Sequence, residues 1–211
     1  MNAFTQSFLQ YKKLWTMLFA FMILTLIMIF RAYKAAQKRN REKEEIIKKL
    51  DHLKMLRENY SDLTVEKIKN DESDLLLEGV ASSIQFSIEK TDDMNAAFEN
   101  LNEEKKMIYA LNYFLEDGKK NVRDFFKEYQ RPLTPFVIFG CENFLDEDVV
   151  IKLKRLFDIY DEDNEEVSFV EDEVAELSEE LNEKIDFDLL LKNANKFIRE
   201  NAEKFSQEAA I

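Results

Sequence analysis

The sequence predicts an all-α protein: a single N-terminal transmembrane helix, a helical stalk, then an acidic multi-helix soluble domain. Three observations carry this expectation. Residues 14–30 form an apolar run without a charged side chain. The 211 residues include only three glycines and two prolines, too few for the tight turns of a β-rich fold. Beyond residue 60, apolar residues recur at three- and four-residue spacing, and no alternating stretch marks a strand. The expected order is a short tail at 1–13, the membrane helix at 14–30, a basic to mixed-charge stalk at 31–60 and the acidic helical domain at 61–211.

The run from Leu14 to Phe30 has Thr16 and Thr25 as its only hydroxyl side chains. Its 17 residues are at the short end of what crosses a bilayer core. The flanks extend it. Tyr11, Trp15 and Tyr33 stand where interfacial aromatics belong, and Lys12, Lys13, Arg31 and Lys34 can snorkel to headgroups. A core helix this apolar on every side is uncommon in a small domain. A cleaved signal peptide has a shorter apolar region and ends at small residues. Here the run ends in Arg31, Lys34, Lys38, Arg39, Arg41 and Lys43. These outnumber Lys12 and Lys13 on the other side. The positive-inside rule therefore places the C-terminal domain in the cytoplasm and the N-terminal tail outside the cell membrane.

Charge is divided unevenly. Residues 1–49 hold ten Lys or Arg against three Glu, a net +7, and the remainder holds 20 against 40 acids, a net -20. An acidic body repels nucleic acid and anionic lipid and attracts basic partners. The composition, 45% hydrophobic and 35% charged, is that of a globular chain and not a disordered one. A single cysteine, Cys141, allows no internal disulfide and suits a reducing compartment.

From Arg31 to about Asn59 nothing breaks a helix, so the membrane helix is expected to continue into a stalk of about 45 Å at 1.5 Å per residue. Ile46, Leu50 and Leu53, continued by Arg57 and Tyr60, make a stripe too short for a coiled coil; it is expected to rest on the body. Thr64 caps a short helix from Val65. Leu77, Ala81, Ile84 and Ile88 line the next, which breaks at Thr91–Asp93. Asn102 caps a helix bearing Met107, Ile108, Leu111, Phe114 and Leu115, and Gly118 suits a left-handed end. Asn121 caps the helix of Phe125, Phe126 and Tyr129. Thr134–Pro135 reads as a cap followed by proline at the first helical position. Asp146 precedes Val149, Val150, Leu153, Phe157 and Tyr160. Ser168 with Glu171 makes a capping box before Val170, Val174, Leu177 and Leu181. The last helix carries Phe187, Leu190, Leu191, Ala194, Ile198, Ala202 and Phe205. The 18 phenylalanines at these spacings read as core, since each buries a large apolar area.

Chemistry-bearing motifs are sparse. No two glycines lie close enough for a phosphate loop, and no Cys/His cluster forms a metal site, so no cofactor and no catalytic residue is expected. His52 reads as a solvated helix residue. With 43 acids, adjacent carboxylates say little about paired acid–base chemistry. One segment, Asp161 to Glu171, is similar to a calcium loop of the EF-hand kind, with Asp161, Asp163 and Glu165 alternating and Glu171 closing. It is one residue short and has Glu166 near the position that wants glycine, so a solvated acidic connection is the preferred reading.

The stretch Leu101 to Phe126 resembles the segment that marks a family of small acidic all-helical bacterial proteins, some described as DNA mimics. Glu116 and the pair Phe125–Phe126 fall at matching distances. The family's Asn-Asn-Gly-Gly turn is replaced here by Gly118-Lys119-Lys120-Asn121-Val122, and Lys119 and Lys120 oppose a DNA-like charge array. The resemblance covers about 26 of 211 residues. It implies an acidic helical domain and carries no functional residue across.

Three functional expectations follow. The first is a non-enzymatic protein-interaction module at the inner membrane face, with the lipid bilayer and a basic protein as partners and no direct nucleic-acid binding. The second is an acidic mimic that sequesters nucleic-acid-binding proteins. The third is an enzyme of unrecognised type.

Overall fold

The computed structural model describes residues 11–129, 131–160 and 171–206. Every regular element among them is helical. Two compact units divide at His52 and Leu53.

The first unit is dominated by α1, Lys12–Tyr60, whose last two turns belong to the second unit. No glycine or proline interrupts these 49 residues, so the backbone ladder runs unbroken from the apolar run into the charged one. The packed face of α1 begins later than the sequence suggests. Ile46, Leu50 and Leu53 are exposed, and Leu56 and Tyr60 are the residues that enter the core.

The second unit is built from α2 (Val65–Asn70), α3 (Leu76–Glu89), α4 (Met94–Glu99), α5 (Glu103–Tyr113), α6 (Val122–Glu128), α7 (Leu133–Phe144), α8 (Glu147–Tyr160), α9 (Glu171–Lys184), α10 (Phe187–Glu200) and α11 (Ala202–Phe205). Helix α5 packs between α3 and α7, its buried Met107, Ile108, Ala110 and Leu111 facing both. Helices α6, α8 and α9 form a second layer, and α10 joins α2, α3 and α7. The layers share one aromatic core. Phe114 lies edge-on to Phe125 at 5.0 Å and to Phe126 at 6.4 Å, and tilted against Phe187 at 5.5 Å. Offset and edge contacts of this kind add to what area burial alone supplies.

Three of the local caps expected from sequence are made. Thr64, Asn102 and Asn121 accept the backbone N–H of Lys67, Lys105 and Asp124 at 3.2, 2.7 and 3.1 Å. Three other expectations change. Helix α7 begins at Leu133, so Thr134 and Pro135 lie inside its first turn, where proline loses no intrahelical bond. The long last helix breaks at Asn201 into α10 and α11. Gly118 is not left-handed: among the described residues no glycine has a positive φ. It closes a π-helical turn, Phe114–Gly118, and a Cβ there would strike the Phe114 ring. The glycine serves close packing. Ser168 and Val170 lie outside the described residues.

Candidate functional site

Two surfaces stand out: the apolar segment of α1 and one face of α9.

On α1, the window that begins at Leu14 is apolar enough to cross a membrane and none of it is buried. Met17, Leu18, Phe19, Phe21 and Met22, which point to every side of the helix, are all exposed. That all-round exposure separates it from the core helix of a globular domain. By length and composition the segment fits a membrane span or a signal sequence. Trp15 lies tilted against Phe19 with ring centroids 6.4 Å apart. The Lys34 ammonium lies 5.0 Å over the Phe30 ring, an arrangement that shields the stem while the charge stays at the rim. Lys12 and Lys13 occupy the first turn of the helix. Tyr33, Arg31, Lys38 and Arg39 are exposed beyond the apolar run, and Lys38 meets Glu42 at 3.8 Å.

Helix α9 is amphipathic for a simple reason. Val174, Ser178 and Leu181 are buried, which turns the opposite face to solvent. Its charges are lopsided: Glu171, Asp172, Glu173, Glu176, Glu179, Glu180 and Glu183 against Lys184. Three of these acids are engaged by neighbouring helices. Glu171 is 4.0 Å from Arg123, Glu173 takes a bidentate bond from Arg155 at 2.6 and 3.0 Å, and Glu180 pairs with Lys152. The other four, Asp172, Glu176, Glu179 and Glu183, are exposed and have no ion pair among the described residues. Their spacing of four, three and four residues aligns them along one stripe, about 16 Å long at 1.5 Å rise per residue.

That stripe opposes helix stability. Like charges three and four residues apart repel by about 0.2–0.5 kcal/mol per pair. The macrodipole favours the acid at Asp172 near the N-terminus and disfavours the acid at Glu183 near the C-terminus. The acids that do find a partner are strengthened: the Arg155 bond holds Glu173 below its ordinary range, the Lys152 bond does so for Glu180, and the Lys184 bond does so for Asp148. A general acid requires the opposite shift.

The remaining sequence candidates are placed as follows. Asp161, Asp163 and Glu165 lie outside the described residues, and Glu171 is the exposed first residue of α9. No group of three metal-ligating side chains occurs among the described residues. Cys141 is fully buried in α7, and burial raises its thiol pKa far above the ordinary value. His52 is half-buried on α1. Residues 103–126 run through α5, the π-helical turn and most of α6, and Lys120 pairs with Asp117 at 2.5 Å in the connection.

The α9 stripe escaped the sequence reading, which used only the net charge of the domain. Its signal was present: four acids at helical spacing, out of phase with Val174, Leu177 and Leu181. No family model, curated protein or solved structure matches the chain.

Proposed function

We propose that the chain is a non-enzymatic interaction module, anchored by a single pass in the cell membrane with its body in the cytoplasm, that recruits a basic protein through the acidic face of α9. The observation that carries this reading is the stripe Asp172, Glu176, Glu179 and Glu183, unpaired among the described residues and costly to its own helix. Charge needed only for solubility works as well when spread with compensating lysines. Concentrated on one face, it steers a basic surface into contact and raises the association rate. The basic collar from Arg31 to Lys43 supports the cytoplasmic orientation and supplies contacts to anionic lipid, worth on the order of 1 kcal/mol per residue near the surface.

The spacing also favours a protein partner over mimicry of nucleic acid. The stripe carries one charge per roughly 5 Å of helix axis, against 3.4 Å per phosphate along a DNA strand.

The test is capture from a cytosolic extract by the full chain in phosphatidylcholine nanodiscs, at low and high ionic strength. A basic protein retained at low salt, released at high salt and lost with Glu176→Lys/Glu179→Lys supports the reading. Retention indifferent to salt and to these substitutions overturns it. Release of that partner by competing DNA would turn the reading toward sequestration.

A further inference from the structure

The second unit contains a cleft of about 610 Å³ between α3, the start of α5 and the end of α11. That volume lies in the range of small-molecule sites, roughly 300–1,000 Å³. Its floor is apolar: the half-buried Phe86 and Leu101 face it, backed by the buried Leu63, Ile84 and Phe205. Its wall is cationic, against the sign of the rest of the body: Lys90, Lys105 and Lys204 line it, with Glu203 as the one acid among the described residues.

The pairing within the cleft decides which cations are available. Lys204 is taken by Glu104. Glu203 is largely exposed at the rim and lies 3.9 Å from Lys69. Lys90 has no carboxylate partner among the described residues; its ammonium sits 4.0 Å over the Phe86 ring, which also lines the cleft. Lys105 has neither an ion pair nor a side-chain hydrogen bond among the described residues. It is half-buried, and burial lowers its pKa because the charged form loses water without gaining a counter-charge. Lys90 and Lys105 are thus two bases without an acid among the described residues, beside an apolar floor. An anion in the cleft would supply the missing counter-charge to both, and an apolar body on that anion would cover the floor.

We propose that this cleft binds a small organic anion, a phosphate or carboxylate head on an apolar or aromatic body, with Lys90 and Lys105 holding the head and the half-buried Phe86 and Leu101, backed by Leu63, Ile84 and Phe205, holding the body. The site is separate from the α9 stripe, which contributes no residue to it, so the two proposals stand or fall apart.

Isothermal titration of the full chain in phosphatidylcholine nanodiscs tests it, with empty nanodiscs as the blank. Phenyl phosphate is the probe, with inorganic phosphate and benzyl alcohol supplying the head alone and the body alone. Phenyl phosphate should bind saturably, at least about tenfold more tightly than either half. Lys90→Gln/Lys105→Gln should weaken it by at least about tenfold, since both charge-assisted contacts go. Lys192→Gln, at an exposed lysine of α10 that does not line the cleft, should leave it unchanged. No saturable binding of phenyl phosphate, equal binding of either half, insensitivity to the double substitution, or equal loss in the Lys192→Gln control overturns the proposal.

Discussion

The side-chain oxygen of Asn195 accepts the backbone N–H of Leu77 at 2.9 Å, across 118 residues of sequence. Helix α3 begins without a side-chain cap of its own, so one of its orphan N–H groups is satisfied from α10. The Asn195 amide also donates to the Asp74 carbonyl at 3.4 Å, which uses both ends of a side chain that is almost completely buried. Two more asparagines act alike: Asn182 accepts from Val122 N–H at the start of α6, and Asn193 donates to the Phe144 carbonyl at the end of α7.

Replacing Asn195 should therefore cost more than a surface substitution. Asn195→Leu leaves the Leu77 N–H buried without an acceptor, and a loss of about 1–3 kcal/mol is expected. Denaturant unfolding of the full chain measures it, with the midpoint falling and the slope unchanged. A change within error of zero would mean that the bond contributes nothing.

Tyr60 carries a pH dependence with a definite sign. Its hydroxyl donates to Asp71 at 2.7 Å, and burial, then the Asp71 carboxylate, push its pKa up to about 12 from 10.0. The folded state thus holds the proton more tightly than the unfolded chain. The stabilisation is complete below the unfolded pKa near 10 and is lost as pH rises through about 12. Tyr109 and Tyr129 are raised in the same direction, by burial first in one and by the Asp117 bond first in the other. The Tyr60→Phe variant isolates the Tyr60 share: its stability should fall less steeply than wild type above pH 10. Identical profiles for the two would refute the assignment.

The same ring explains Gly79. A Cβ there would collide with the Tyr60 ring, so the approach of α3 to the end of α1 requires glycine.

Reversing one charge of the α9 stripe should separate stability from recruitment. Glu179→Lys replaces repulsion toward Glu176 and Glu183 with attraction and should stabilise the protein by roughly 0.5 kcal/mol. It should also weaken capture of a basic partner. Thermal unfolding and the nanodisc capture assay read the two effects, and loss of stability would show that the acids do not repel as argued.

Orientation follows from the basic flank. A reporter active only in the cytoplasm, fused after Ile211, should be on, and one active only outside should be off. Neutralising Arg31, Lys34, Lys38 and Arg39 together should weaken that bias. An active external reporter in the parent chain would reverse the topology.

Calcium should leave the protein unchanged. If Asp161, Asp163, Glu165 and Glu171 formed a working loop, millimolar calcium would raise thermal stability by mass action. The expected result is no shift beyond ordinary screening. A calcium-specific rise abolished by Asp161→Ala would establish the loop.

What sequence alone determined is whatever is local along the chain. Thr64, Asn102 and Asn121 cap helices three residues ahead of themselves, so spacing reveals them. The stripes of Leu77, Ala81, Ile84 and Ile88, and of Met107, Ile108 and Leu111, repeat at the helical period, and all are buried. The exposed apolar run of α1 is equally plain, because length and absence of charge define it. Tertiary structure decided the rest. Asn182, Asn193 and Asn195 finish helices far away in sequence, a role that no period records. Gly118 looks like a helix stop and instead makes room for a ring. Lys105 looks like one more solvated lysine, and only the packing of α3, α5 and α11 places it half-buried in a cleft, without a counter-charge among the described residues. Periodicity reports which face of a helix is apolar; which neighbour covers that face, and which charges are left unanswered, depends on contacts between residues that the chain itself keeps far apart.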